Sequence, residues 1–159
     1  MLPREAGAVG DLRVGAYQEQ DHLSASSGYA DTLRTLGLDG HGTILVAADG
    51  PSGLEELLGT VMLEPWHDGS EVARSADEAE VRALAVAPWA QGRGVGRSLM
   101  RAVIDEAAGR GAARLLLSTQ PGMKAAQYLY RSLGFARTPE LDWSPVSGVT
   151  LLGFSLPLV

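Results

Sequence analysis

Apolar positions along the chain recur with two periods, and the switches between them mark out the elements. Ala6, Val9, Leu12, Val14, Ala16 and Tyr17 come close to helical spacing, which predicts a first helix over Arg4 to Gln18. Gly7, Gly10 and Gly15 weaken its intrinsic propensity. A polar, Ser-rich link follows over His22 to Gly28, and Tyr29, Leu33 and Leu36 predict a second helix ending at Gly37. Gly42 to Ala48 reads as a strand, Asp49-Gly50-Pro51 as a turn, and Leu57 to Leu63 as a second strand paired antiparallel with the first. Pro65 to Asp77 is a long polar loop carrying Trp66 and His67.

The run from Val81 to Val86 has the length and β-branching of a buried strand, and Pro88 stops it because proline has no N–H for a ladder. Gln91-Gly92-Arg93-Gly94-Val95-Gly96 comes next, and then a helical stripe of Val95, Leu99, Ala102, Val103 and Ala107 running to Gly109-Arg110-Gly111. Ala113 to Ser118 is the following strand, completing a β-α-β unit with a right-handed crossover. Ala125 to Leu133 is a helix closed by Gly134 at its C′ position. Phe135 to Leu141 and Val149 to Leu156 are two late strands, separated by a loop with Trp143 and Pro145. There is no internal repeat and no linker, so residues 1–159 read as one domain.

Strand, proline stop, glycine loop and helix N-terminus in that order form an anion site. Three alternating glycines allow positive φ and keep side chains out of a ligand's way. The free N–H groups of the first helical turn sit at the positive end of the macrodipole. A diphosphate is the natural occupant. Two familiar phosphate loops do not fit: Arg97 or Leu99 falls where G-x-G-x-x-G needs its last glycine, and Lys124, the only lysine, is far from a G-x-x-x-x-G-K-[ST] position. The plainer alternative is a glycine-rich connection that only turns a strand into a helix.

At these residues the chain resembles the GNAT acetyltransferase superfamily. That family's phosphate loop, Gln/Arg-x-x-Gly-x-Gly/Ala, is matched by Gln91, Gly94 and Gly96, and the preceding L-A-V-x-P by Leu84, Ala85, Val86 and Pro88. About thirty residues on, Ala126, Leu129, Tyr130 and Gly134-Phe135 resemble A-x-x-L-Y-x-x-x-G-F. The match is specific from 80 to 135, and element order extends it over residues 4 to 156. The resemblance implies a mixed α+β fold: a mostly antiparallel sheet of about six strands, helices on both faces, and one parallel central pair splayed around the cofactor. It also implies acetyl-CoA as cosubstrate, held by Leu84, Ala85, Val86, Gln91, Gly92, Arg93, Gly94, Val95, Gly96, Arg97, Ser98, Ala126 and Tyr130.

Acyl transfer from a thioester to an amine makes four demands. The loop's N–H groups, with Arg93 or Arg97 adding charge, meet the first by holding the diphosphate. The resemblance implies the Val86 N–H for the second, polarising the thioester carbonyl. The third is removal of a proton from an ammonium that is charged at neutral pH. Glu80 lies on the strand where the family often keeps an acid as base, and by a period of two it shares a face with Arg82, Leu84 and Val86. It is either that base or the structural ion-pair partner of Arg82. The fourth demand is an exit for the thiolate. On the stripe alone Tyr130 would be a core tyrosine; the family match makes it the general acid. Many relatives carry Asn seven residues before this tyrosine, where Met123 stands here, which removes a polar contact to the pantetheine arm. Trp66, His67, Tyr29 and Trp143 could line an acceptor pocket or simply pack their loops.

Charge and composition narrow the partners. A net charge of -6 argues against nucleic acid and is compatible with a cationic amine. With no cysteine there is no disulfide, thiol catalysis or cysteine metal site, and His22, His41 and His67 lack metal-ligand spacing. No signal peptide or membrane span is visible, so the cytoplasm is the default location. The sequence therefore points to an N-acetyltransferase acting on a primary amine of a small molecule or peptide. The rival is a GNAT-fold acyl-CoA sensor or partner-binding module without turnover.

One expectation concerns the sheet edge. Pro3-Arg4-Glu5 already looks like a helix start, leaving too few residues before it for an ordinary first strand. Thr43 to Ala47, apolar and uncharged, would then be the edge and a pairing liability. Edge-to-edge homodimerisation is the expected cover, and a monomer in solution with that edge bare would refute it.

Overall fold

The structure, a computed structural model, describes residues 6–19, 42–48 and 57–158. The expected polar link at 22–28, the helix ending at Gly37, the turn at 49–51 and the question of a strand before Arg4 lie outside the described residues. The elements in order are α1 (Ala6–Glu19), β1 (Thr43–Ala48), β2 (Leu57–Pro65), β3 (Glu78–Val86), α2 (Val95–Gly109), β4 (Arg114–Thr119), α3 (Lys124–Ser132), β5 (Ala136–Arg137), β6 (Trp143–Val146) and β7 (Val149–Pro157).

The strands form a mixed, mostly antiparallel sheet in the order β1-β2-β3-β4-β7-β5, with β6 paired to β7. The parallel pair is β3 with β4, in register from Glu78↔Arg114 to Val81↔Leu117. It is the pair that the β-α-β pattern requires. β1 and β2 run antiparallel with Thr43 opposite Leu63, and β1 ends the strand order among the described residues, where the sequence placed the edge.

Two compact units divide the chain: Met1–Leu63 with Ala83–Val103, and Glu64–Arg82 with Ile104–Val159. Their boundaries fall inside β2, β3 and α2. In the first unit Val9 of α1, Ile44 of β1 and Met62 of β2 form a core, with Val46 and Leu57 packed on it. Arg13 of α1 is also buried, which helical spacing did not anticipate. In the second, β4 buries Leu115, Leu116 and Leu117, a continuous apolar run suited to a central strand. Leu116 also packs with Val72 and Ala73, joined by Leu141 and Trp143.

Among the described residues the sheet has seven strands, where about six were expected, because the C-terminal region is cut differently. The strand expected over Phe135 to Leu141 shrinks to Ala136–Arg137 and gives way to a 3-10 turn at Pro139–Leu141. Proline has no N–H for a ladder and opens such turns readily. The turn is held by Arg137, whose guanidinium donates to both carboxylate oxygens of Asp142 at 2.6 Å, while Asp142 Oδ1 accepts the Gly153 N–H at 2.8 Å. The expected loop around Trp143 and Pro145 is instead strand β6, joined to β7 through Ser147-Gly148 with Gly148 at φ 84.

Candidate active site

The first unit holds the glycine loop. After Val86 the chain keeps one more tie to β2, the Ala87 N–H donating to the Leu58 carbonyl at 2.8 Å. Pro88 then opens a 3-10 turn, Pro88–Ala90, and Gln91 leaves it in extended conformation. Gly92 and Gly94 take φ 79 and 80, a region costly for any residue with a Cβ. Chain neighbours apart, no atom of the described residues lies within 4 Å of where a Cβ would sit at either. Gly96, in contrast, is the second residue of α2, so only two of the three glycines use positive φ. The Ser98 N–H makes an early intrahelical bond, to the Gly94 carbonyl at 3.0 Å, so the N–H groups of Val95 and Gly96, ahead of it, have no acceptor inside the helix.

Burial separates what anchors this turn from what faces outward. Val95 and Leu99 are buried, and each would lie 3.0 Å from a Cβ placed on Gly59 of β2. Only a glycine there lets the start of α2 approach so closely. Gln91, Gly92, Arg93, Gly94 and Ser98 are exposed, Gly96 and Arg97 half-buried. Ala85 is buried, with Leu84 and Val86 half-buried on either side. Gly59 was not singled out by sequence, although a glycine inside a strand signals close backbone approach.

The second unit holds Glu80 and Tyr130. Glu80 is 1% exposed, and its Oε1 accepts the backbone N–H groups of Val72 and Ala73, the latter at 2.6 Å. Oε2 has no hydrogen-bond partner among the described residues. Of the two roles left open for Glu80, the ion pair with Arg82 does not form. Arg82 reaches Glu64 Oε2 at 3.2 Å and Glu71 Oε1 at 2.9 Å instead. The two-residue alternation also fails beyond Arg82, because Ala83 at φ 55 breaks it, so Glu80 and Val86 cannot be assigned to one face by counting.

Around Arg82 the polar groups form a chain. His67 Nε2 lies 2.9 Å from Glu64 Oε1, and His67 Nδ1 accepts the Gly69 N–H at 3.0 Å. With Nδ1 an acceptor, the ring proton belongs on Nε2 and is directed at Glu64. Glu71 has its pKa raised, first by burial and also by Glu80 and Glu64, with Arg82 opposing. Trp66 is partly exposed on this loop, whereas Trp143 is half-buried and donates from Nε1 to Ser118 Oγ at 3.1 Å. Tyr29 lies outside the described residues.

Tyr130 is buried on α3 between Phe135 and Phe154, with ring centroids 5.9 and 6.2 Å away. It therefore has the surroundings of a core tyrosine, but its hydroxyl bonds to nothing among the described residues. Burial pushes its pKa well above the usual tyrosine range, so the phenol stays protonated. Ala126, half-buried, lies one turn earlier on α3. Met123 is the N-cap of α3 and supplies no side-chain cap; its sulfur accepts from Thr119 Oγ1 at 3.6 Å. Gln127 donates to the carbonyls of Gln120 and Pro121, both at 3.1 Å, and pins the loop entering the helix. Sequence reasoning passed over Gln127, whose position inside an amphipathic helix gives no sign of that role.

With strand order, glycine turn and tyrosine helix in place, the family is defined: the chain belongs to the acetyltransferase (GNAT) family, whose model matches residues 11–135. A mycothiol acetyltransferase from a Nocardioides strain is 29% identical over 136 residues, covering 81% of this chain and 46% of the relative. The Escherichia coli [ribosomal protein bS18]-alanine N-acetyltransferase is 46% identical over 59 residues, 37% of this chain and 40% of that one. The chain thus spans about half the length of the curated relatives it matches. A Salmonella typhimurium structure described as an acetyltransferase with its cofactor acetyl-CoA superimposes with a TM-score of 0.66 at 20% identity, over 100% of this chain and 91% of that one. No helix among the described residues is long and apolar enough to cross a membrane.

Proposed function

We propose that the chain is an acetyl-CoA-dependent N-acetyltransferase that moves an acetyl group to a primary amine of a small molecule or peptide, by direct attack in a ternary complex in the cytoplasm. The observation that carries this is the turn Gln91–Ser98. Two left-handed glycines and the open N–H groups of α2 present a diphosphate site directly after the strand whose Val86 N–H would polarise the thioester carbonyl. Acetyl-CoA in a structure of the same fold, and acetyl transfer in the names of relatives, support it.

In this reading the ammonium first gives a proton, directly or through water, to Glu80 Oε2. The amine nitrogen then attacks the thioester carbonyl carbon and the C–S bond breaks; the nitrogen's second proton passes, through water, to the departing sulfur, whose developing charge is met by a hydrogen bond from the Tyr130 hydroxyl. Thiol release from acetyl-CoA across a panel of amines, alongside calorimetric CoA binding, tests the reading. Turnover on at least one amine is expected; tight CoA binding with no turnover on any amine would make the chain a sensor.

Glu80→Gln isolates the base. The amide can still accept from Val72 and Ala73 through its oxygen, so the loop stays anchored, while the group in the place of Oε2 can no longer take a proton. The expected result is a lower kcat/KM with CoA affinity retained. Full kcat/KM in the variant would reduce Glu80 to the anchor of the loop.

A further inference from the structure

Trp89 and Arg93 flank the glycine turn, and neither is accounted for by packing. Trp89, in the 3-10 turn before Gln91, is 49% exposed, and its indole N–H has no acceptor among the described residues. A single exposed aromatic is ordinary on a surface. This one has the Arg93 guanidinium over its ring, 5.8 Å from the centroid. Arg93 itself forms no ion pair among the described residues, and it stands between Gly92 and Gly94, where no described atom lies within 4 Å of an added Cβ. An uncompensated cation held on an open π-face beside an anion-binding turn suits a ligand with both a phosphate and a flat aromatic base.

We propose that Trp89 and Arg93 form the subsite for the 3′-phosphoadenosine end of the cosubstrate, the adenine stacking on the indole and the 3′-phosphate pairing with the guanidinium. The proposal rests on the reading that CoA binds at Gln91–Ser98. It adds to that reading because the diphosphate site alone would not distinguish CoA from a shorter pantetheine phosphate. Arg93 then does more than lend charge to the diphosphate: Trp89 fixes where its charge lies.

Calorimetric titration of CoA, 3′-dephospho-CoA and 4′-phosphopantetheine into the native chain and its variants tests this. Trp89→Ala should weaken CoA and dephospho-CoA by about tenfold or more, the scale of one base–aromatic stack, and leave phosphopantetheine unchanged. Trp89→Phe should restore most of the loss, and Arg93→Gln should weaken CoA more than dephospho-CoA. Unchanged CoA affinity in Trp89→Ala, or equal losses for all three ligands, overturns the stacking assignment while leaving the CoA reading intact. Equal losses for CoA and dephospho-CoA in Arg93→Gln overturn the 3′-phosphate assignment. A native chain that binds no CoA overturns the parent reading instead.

Discussion

Gly94→Asp is expected to lower CoA affinity by about two orders of magnitude, with Gly96→Asp acting in the same direction. At Gly94 the backbone is at φ 80, so an aspartate there is strained by about 1–2 kcal/mol even though no described atom would crowd its Cβ. What it cannot avoid is the ligand. A carboxylate about 5 Å from a diphosphate charge, at an effective dielectric near 20, is repelled by about 3 kcal/mol, and each 1.4 kcal/mol is tenfold. Gly96 lies in the first turn of α2, so its aspartate also adds a charge close to the ligand, although there the helix dipole partly favours it. Calorimetry with CoA, and thermal unfolding to show that both variants remain folded, reads the effect. Unchanged CoA affinity in both would move the diphosphate away from this turn.

The parts of this site that could be read from sequence are those where backbone geometry forces residue choice. Gly92 and Gly94 are glycines because their φ demands it, and Pro88 stands where a strand must end, so order alone placed the turn. The β-α-β pairing followed from period and length. What spacing could not carry was partner choice among charged side chains. Glu80 and Arg82 look like neighbours at period two, but backbone N–H groups eight and seven residues before Glu80 take its Oε1, and Glu64 and Glu71 take Arg82. Loop closures of that kind leave no periodic trace. Ala83 illustrates the same limit, since nothing in an alanine announces a left-handed residue in mid-strand. Strand β6 was hidden for a related reason: Pro145 and Ser144 argue against a strand, and it exists because β7 offers it a partner across the Gly148 turn. Pro145 is tolerable where a short strand has one free side.

Tyr130→Phe is expected to lower kcat by about 10- to 100-fold with little change in KM. The magnitude follows from what a buried, protonated phenol can give. An ordinary tyrosine already has a pKa of about 10 against about 8.5 for a thiol, so full proton transfer to the thiolate is uphill by about 2 kcal/mol. Burial raises the tyrosine further. The group therefore acts by donating a short hydrogen bond to sulfur as negative charge develops, and a hydrogen bond to a charged partner is worth about 1.5–3 kcal/mol. Its hydroxyl has no competing partner among the described residues, so none has to be broken first. Phenylalanine keeps the ring between Phe135 and Phe154 and removes only the oxygen, which separates this effect from a packing defect. The sign of the pKa shift adds a second readout. Because burial disfavours the phenolate, Tyr130 stays protonated across the assay range and contributes no alkaline limb. The pH–rate profile of the variant should thus keep the native shape at reduced height. Full kcat in Tyr130→Phe would make the residue a core tyrosine, and loss of an alkaline limb would show that it titrates in the native chain.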